Sequence, residues 1–345
     1  MKPEFVPLAA AIQRNCHIAD ARHARGMTLC TYLLEMREFY RWEAGIAPGA
    51  PLDRAAVGAW LAAREALWET LADEEFAALT IAGREYAPFD VAAINRQLLP
   101  HGLIYGAGIG RFGRPHFFLG ELWRRSDHDG VVTLVSGREY ARDLGALPAA
   151  LQGDVIFVRR EALRQWLWEK AEAWQMKRNP GALALALQAY GFGDDAHAAL
   201  ERMLDAELES VILHERGEFE AGKRLGVQWE ERLACGCQRR SELLLRAVRD
   251  NLADCLVTLP SLIERAAWPS LLFWLANLDG MRRELFPAIA HIDPSKIGAG
   301  EAAGELQAIV NEGAQRFARL ACRLSMLEDD AIAALSHDLA ALARE

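Results

Sequence analysis

From residue 161 almost to the end of the chain, apolar residues recur at the spacing of an amphipathic helix. Candidate helices cover 161–177, 181–191, 195–222, 228–258, 268–290 and 302–343, the last broken near 328. Helices with one apolar stripe bury it against one another, so this half predicts a helical bundle. The pattern before it differs. Residues 103–140, "LIYGAGIGRFGRPHFFLGELWRRSDHDGVVTLVSGREY", are rich in glycine, aromatic and β-branched residues. "HDG" between two apolar runs signals a hairpin, and "DVIFVRR" (154–160) reads as one more strand. These segments predict a small antiparallel sheet between about residues 80 and 160.

Residues 5–44 read as one long helix, or two joined near Gly26, with Phe5, Ile12, Cys16, His23, Met27, Cys30 and Leu34 on one face. After the break "APGAPLD", Asp53 caps a helix from 54 to about 72, and Asp90 caps a short one. The fold class is therefore α+β: N-terminal helices with a small antiparallel sheet, followed by an all-α helical bundle domain. The change of pattern near 160–180, with "KRNPGA" as a break, places the domains at 1–165 and 166–345.

A chain of 345 residues with 52% hydrophobic and 25% charged residues has the balance of a globular protein with a sizeable core. The net charge of −9 argues against a large nucleic-acid footprint, which needs a clustered basic face. No apolar run is long enough to span a membrane. The start, "MKPEFVPLAAAIQRNCHIAD", lacks the apolar core of a signal peptide, and the six cysteines are too scattered for a disulfide framework. Both point to the cytoplasm. Cys235 and Cys237, in "CGC", point apart on a helix and read as small buried residues rather than metal ligands.

Gly108, Gly110 and Gly113 spell G-x-G-x-x-G, but Pro115 and the aromatic run after them predict a strand, not the helix a dinucleotide site requires. A tight glycine-rich hairpin is the expectation, with no nucleotide cofactor; Arg111 and Arg114 remain available to an anion there.

The functional lead is "AELESVILHERGEF" (206–219). On a helical wheel, Glu207, His214 and Glu218 fall on the apolar side with Leu200, Leu204 and Val211, opposite Arg202, Glu209 and Arg216. A buried carboxylate costs several kcal/mol, roughly, unless it is paired or ligates a cation. The next helix carries Asp250 and Asp254 one turn apart, together with Arg240, Arg246 and Arg249. Two answers stay open. In one, Glu207, His214, Glu218, Asp250 and Asp254 hold metal, and hard oxygen donors plus imidazole suit iron or manganese. In the other, arginine neutralises the acids and the helical domain is a non-catalytic adaptor or assembly protein that binds a protein partner or a second copy.

A second cluster, Cys16, Asp20 and His23 in "CHIADARHARGMTLC", suits either an ion or a cysteine nucleophile with a histidine base. The competing reading is core packing around an interior histidine. The helices at 35–43 and 163–177 are aromatic and charged, with Trp166 and Trp174 available for packing or a partner.

The Glu-x6-His spacing of Glu207 and His214 resembles the first core helix of haem-oxygenase-like diiron oxidases, a resemblance of one helix and two residues. It implies a dinuclear carboxylate centre and an oxidoreductase. The chain departs from that pattern in having Asp250-x3-Asp254 where the family has Asp-x3-His, and the ferritin-like Glu-x-x-His is absent. The stretches "CHIADARHARGMTLCTYLLEMREFYRWE", "SGREYARDLGALPA" and "ESVILHERGEFEAG" together resemble an uncharacterised bacterial protein family over nearly the whole chain. That resemblance implies no activity, cofactor or substrate.

Overall fold

A computed structural model of the protein describes residues 1–234, 238–299 and 302–344. Cys235 and Cys237 therefore lie outside the described residues. The fold is α+β, as the change of periodicity predicts.

The first 44 residues form two helices, α1 (Val6–His23) and α2 (Leu29–Ala44), divided by a 3-10 turn at Ala24–Gly26. The Thr28 hydroxyl caps α2 by accepting the Thr31 N–H. Asp53 caps α3 (Arg54–Leu71) through the Ala55 N–H, and Asp90 caps α4 (Val91–Leu98) through the Ala93 N–H. Between α3 and α4 lie two short paired strands, β1 (Leu79–Ile81) and β2 (Arg84–Tyr86).

The main sheet has five strands: β3 (Leu103–Ile109), β4 (Pro115–His128), β5 (Val131–Arg142), β6 (Ala149–Gln152) and β7 (Val155–Arg159), in the order β3-β4-β5-β7-β6. Asp129 and Gly130 join β4 to β5 with φ of 52° and 81°, the two positive values that a two-residue hairpin turn demands. The glycine-rich segment is also a hairpin. β3 and β4 pair antiparallel from Leu103↔Glu121 to Ile109↔Pro115, and the Gly110 N–H closes the turn on the Arg114 carbonyl at 2.7 Å. The strand β6 is not foreseen in the sequence. Four residues of half-exposed alternation carry too little hydrophobic signal.

Three side-chain amides brace backbone in this half, each donating to a carbonyl and accepting an N–H from the same residue. Asn95 grips Tyr105 at 2.7 and 2.9 Å, Asn15 grips Ala77 at 3.0 and 2.8 Å, and Gln13 grips Arg142 at 3.0 and 3.0 Å. Each bond pair copies a strand ladder and satisfies backbone that burial would orphan. The apolar core beside them gathers Ile18, Met36, Phe39, Trp68 and Leu144.

The second half is helical: α5 (Arg160–Lys177), α6 (Ala182–Tyr190), α7 (Ala196–Leu225), α8 (Val227–Ala234), α9 (Arg239–Ala253), a π turn (Asp254–Thr258), α10 (Leu259–Glu264), α11 (Trp268–Asn277), α12 (Gly280–Leu285), α13 (Pro287–Ala290), α14 (Pro294–Gly298), α15 (Ala303–Ser325), α16 (Asp329–Leu335) and α17 (Leu339–Arg344). Three expected helical spans are therefore divided beyond expectation, and one of them, 302–343, breaks near 328 as expected and again after Leu335. The span 228–258 is α8 and α9, and 268–290 is three helices, cut at Asp279–Gly280, where Gly280 has φ of 50°, and at Pro287. The chain separates into two compact units, one of Met1–His128, Val132–Pro148 and Phe157–Trp166, the other of Asp129–Val131, Ala149–Ile156 and Leu167–Glu345.

Candidate metal centre

α7 packs against the end of α9 at Gly217 with no room for a side chain. A Cβ there would lie 2.4 Å from the Ala253 carbonyl oxygen, so only glycine admits this approach. His214 and Glu218 flank Gly217, and Asp250 and Asp254 flank Ala253. The close crossing thus brings both pairs of ionisable residues to one place. The π turn that begins at Asp254 follows from Pro260, which has no N–H for the α-helical ladder and crowds the carbonyl four residues back.

One donor atom each from His214, Glu218 and Asp250 lie within 4.8 Å of one another. Asp254 plays a different part. Its fully buried carboxylate accepts the His214 Nδ1–H at 2.8 Å and the Trp274 Nε1–H at 2.9 Å, and pairs with Arg282. His214 is thereby turned so that Nε2 faces Glu218 Oε1, 3.5 Å away. A carboxylate that fixes one imidazole nitrogen and presents the other is the usual support behind a metal-bound histidine.

Arg249 occupies the same space. Its Nη2 lies 2.6 Å from Glu218 Oε1 and 3.0 Å from Asp250 Oδ1. Burial works against a charge on His214, but the Asp254 and Glu218 carboxylates outweigh it and hold the imidazole well above its ordinary pKa. Burial likewise opposes ionisation of Glu218, yet Arg249 and His214 bring its carboxyl down to about 2. Beside them, burial and the nearby Glu218 charge push Glu215 up to about 8. Three cations, His214, Arg249 and Arg282, thus face three carboxylates, Glu218, Asp250 and Asp254. His214 and Glu218 keep side-chain exposures of 25% and 14%, which leaves the centre an opening to solvent.

Glu207 does not join this group. It is buried two turns earlier on α7, where it accepts the Tyr190 O–H at 2.6 Å, and Tyr190 meets Ser270 Oγ at 3.0 Å. Arg240 bonds Ser336 and Arg246 pairs with Glu242 on its own helix, so neither neutralises the cluster. Trp274 and Arg282 complete the centre from α11 and α12. They lie 20 and 28 residues past Asp254, and no local periodicity ties them to it.

In the N-terminal cluster, Cys16 is buried with its S–H donated to the Phe117 carbonyl at 3.3 Å, and burial pushes the thiol up, away from the reactive thiolate. Asp20 accepts from the Leu144 N–H and from Arg114, 3.0 Å away. Burial, with the charges of Arg114 and His116, keeps the His23 pKa below its ordinary value. Cys16, Asp20 and His23 form no metal-holding group among the described residues.

Comparison with known proteins gives one kind of match. The model described as "Family of unknown function (DUF6866) N-terminal domain" matches residues 7–159, and that of the C-terminal domain matches residues 164–345. No curated protein and no solved structure matches the chain.

Proposed function

Because the chain belongs to the DUF6866 family, whose function is unknown, its chemistry must be read from its own residues, and we propose that the C-terminal domain is a metal-dependent oxidoreductase holding iron or manganese on His214 Nε2, Glu218 and Asp250. The observation that carries this reading is the convergence of three donors with the imidazole already oriented by Asp254. An ion bonded at roughly 2.0–2.2 Å keeps its donors at most about 4.4 Å apart, so the three need only a small closure. Two carboxylates and one imidazole suit iron or manganese, and three protein ligands leave positions open to oxygen, water or substrate. In this reading Arg249 withdraws and His214 gives up its Nε2 proton as the ion enters, since the ion takes over the charge that both supply to the carboxylates.

The second reading, an assembly protein with a closed ion network, is favoured by that same guanidinium, 2.6 and 3.0 Å from Glu218 and Asp250. Manganese titration followed by electron paramagnetic resonance separates the two. The metal reading expects one bound ion per chain, lost in His214→Ala and weakened about 10- to 100-fold in Asp254→Asn, which removes the orienting charge. Equal and weak uptake by all three proteins would support the closed network.

A further inference from the structure

The N-terminal unit contains a cleft of about 550 Å³, within the range of small-molecule sites. Its lining includes His17, Trp42, Arg64, Arg138, Tyr140 and Glu161. Most of the charge in it is already answered. Arg64 pairs with Glu43 and lies 2.5 Å from His17 Nε2, while its guanidinium rests over Trp60 at 5.0 Å. Glu139 is held at both oxygens by Arg159, at 2.7 and 2.9 Å. His17 carries no charge at neutral pH, because burial and the Arg64 charge push it down to about 3.

Two lining residues of opposite sign stand outside these pairings. Glu161 spends one oxygen on the Glu139 N–H at 2.9 Å, and Arg138 lies exposed with its guanidinium 5.8 Å over Tyr140. Neither enters an ion pair among the described residues. Trp42 also lines the cleft, stacked on Phe39 with an interplanar angle of 3° and with the Arg142 guanidinium 5.6 Å from its ring centre. A cleft that offers one carboxylate, one guanidinium and an aromatic wall matches a molecule with an ammonium group, a carboxylate and an apolar body.

We propose that this cleft binds a free α-amino acid with an aromatic or branched apolar side chain, its ammonium on Glu161 and its carboxylate on Arg138. The site is independent of the metal centre, and its failure leaves that reading untouched. Calorimetry on the full chain with L-phenylalanine, phenethylamine and 3-phenylpropionate tests it. The parent binds L-phenylalanine at least about tenfold more tightly than either analogue, a factor of ten being about 1.4 kcal/mol. Glu161→Gln, which keeps the acceptor for the Glu139 N–H, abolishes the advantage of L-phenylalanine over 3-phenylpropionate. Arg138→Met abolishes its advantage over phenethylamine. L-Tryptophan and L-leucine extend the panel. No saturable binding of any of the three amino acids up to about 10 mM, or variants that weaken all ligands equally, would overturn the proposal.

Discussion

Glu207 shows how far one residue can be read. Its wheel position places it inside, and it is buried, but its partner is the Tyr190 hydroxyl rather than an ion. A wheel reports which side a residue faces. It does not report what a helix from elsewhere in the chain brings there. Burial pushes this carboxyl up to about 7 from 4.5, against the Tyr190 hydrogen bond that favours the ionised form. The raised value sets the sign. The contribution to stability is complete below about pH 4.5 and is lost as pH rises through about 7. Urea unfolding of the parent and of Glu207→Gln at pH 4.5 and pH 8 should show a difference that shifts in the variant's favour by roughly 3 kcal/mol at the higher pH. A constant difference would mean that Glu207 titrates in the folded protein as it does in the unfolded chain. Asn95 makes a second test at this scale. Asn95→Ala strands the Tyr105 N–H and carbonyl together and should cost about 2–4 kcal/mol by urea unfolding, where a surface substitution costs under about 0.5.

At the level of elements, the local signals served well where they were chemical. Asp53, Asp90 and the Asp129–Gly130 turn sit where capping and hairpin rules put them. They were overlooked where periodicity ran through a break. Asp279–Gly280 and Pro287 are punctuation that a 23-residue helix over 268–290 ignored. Gly217 has no such signal. Inside a helix it reads as a weak spot, yet it sets the crossing of α7 and α9. Gly217→Ala should push the helices apart and destabilise the domain by about 2 kcal/mol or more, although alanine is the better helix former. A rise in melting temperature would show that the crossing has room. The same variant should lower manganese affinity in step, because His214 and Glu218 move with the helix.

For the molecule as a whole, the contrast between glycine-rich strands and sustained helical spacing was enough for the α+β class. Among the described residues, no helix is long and apolar enough to cross a membrane. The candidate centre was legible only in part. His214, Glu218 and Asp250 were recognisable as ionisable groups on inward faces, whereas Arg249 as their immediate neighbour and the brace of Trp274 and Arg282 depend on how four helices meet. The central claim is that these donors hold an ion in place of a guanidinium. Elemental analysis of tag-free protein purified without added metal, beside His214→Ala and Arg249→Met, tests it most directly. The account predicts close to one iron or manganese per chain in the parent, none in folded His214→Ala, and undiminished metal in Arg249→Met, where the ion replaces the lost charge. A metal-free parent after anaerobic reconstitution, with Arg249→Met destabilised by about 3–5 kcal/mol, would contradict it and leave Arg249 as the permanent partner of Glu218 and Asp250.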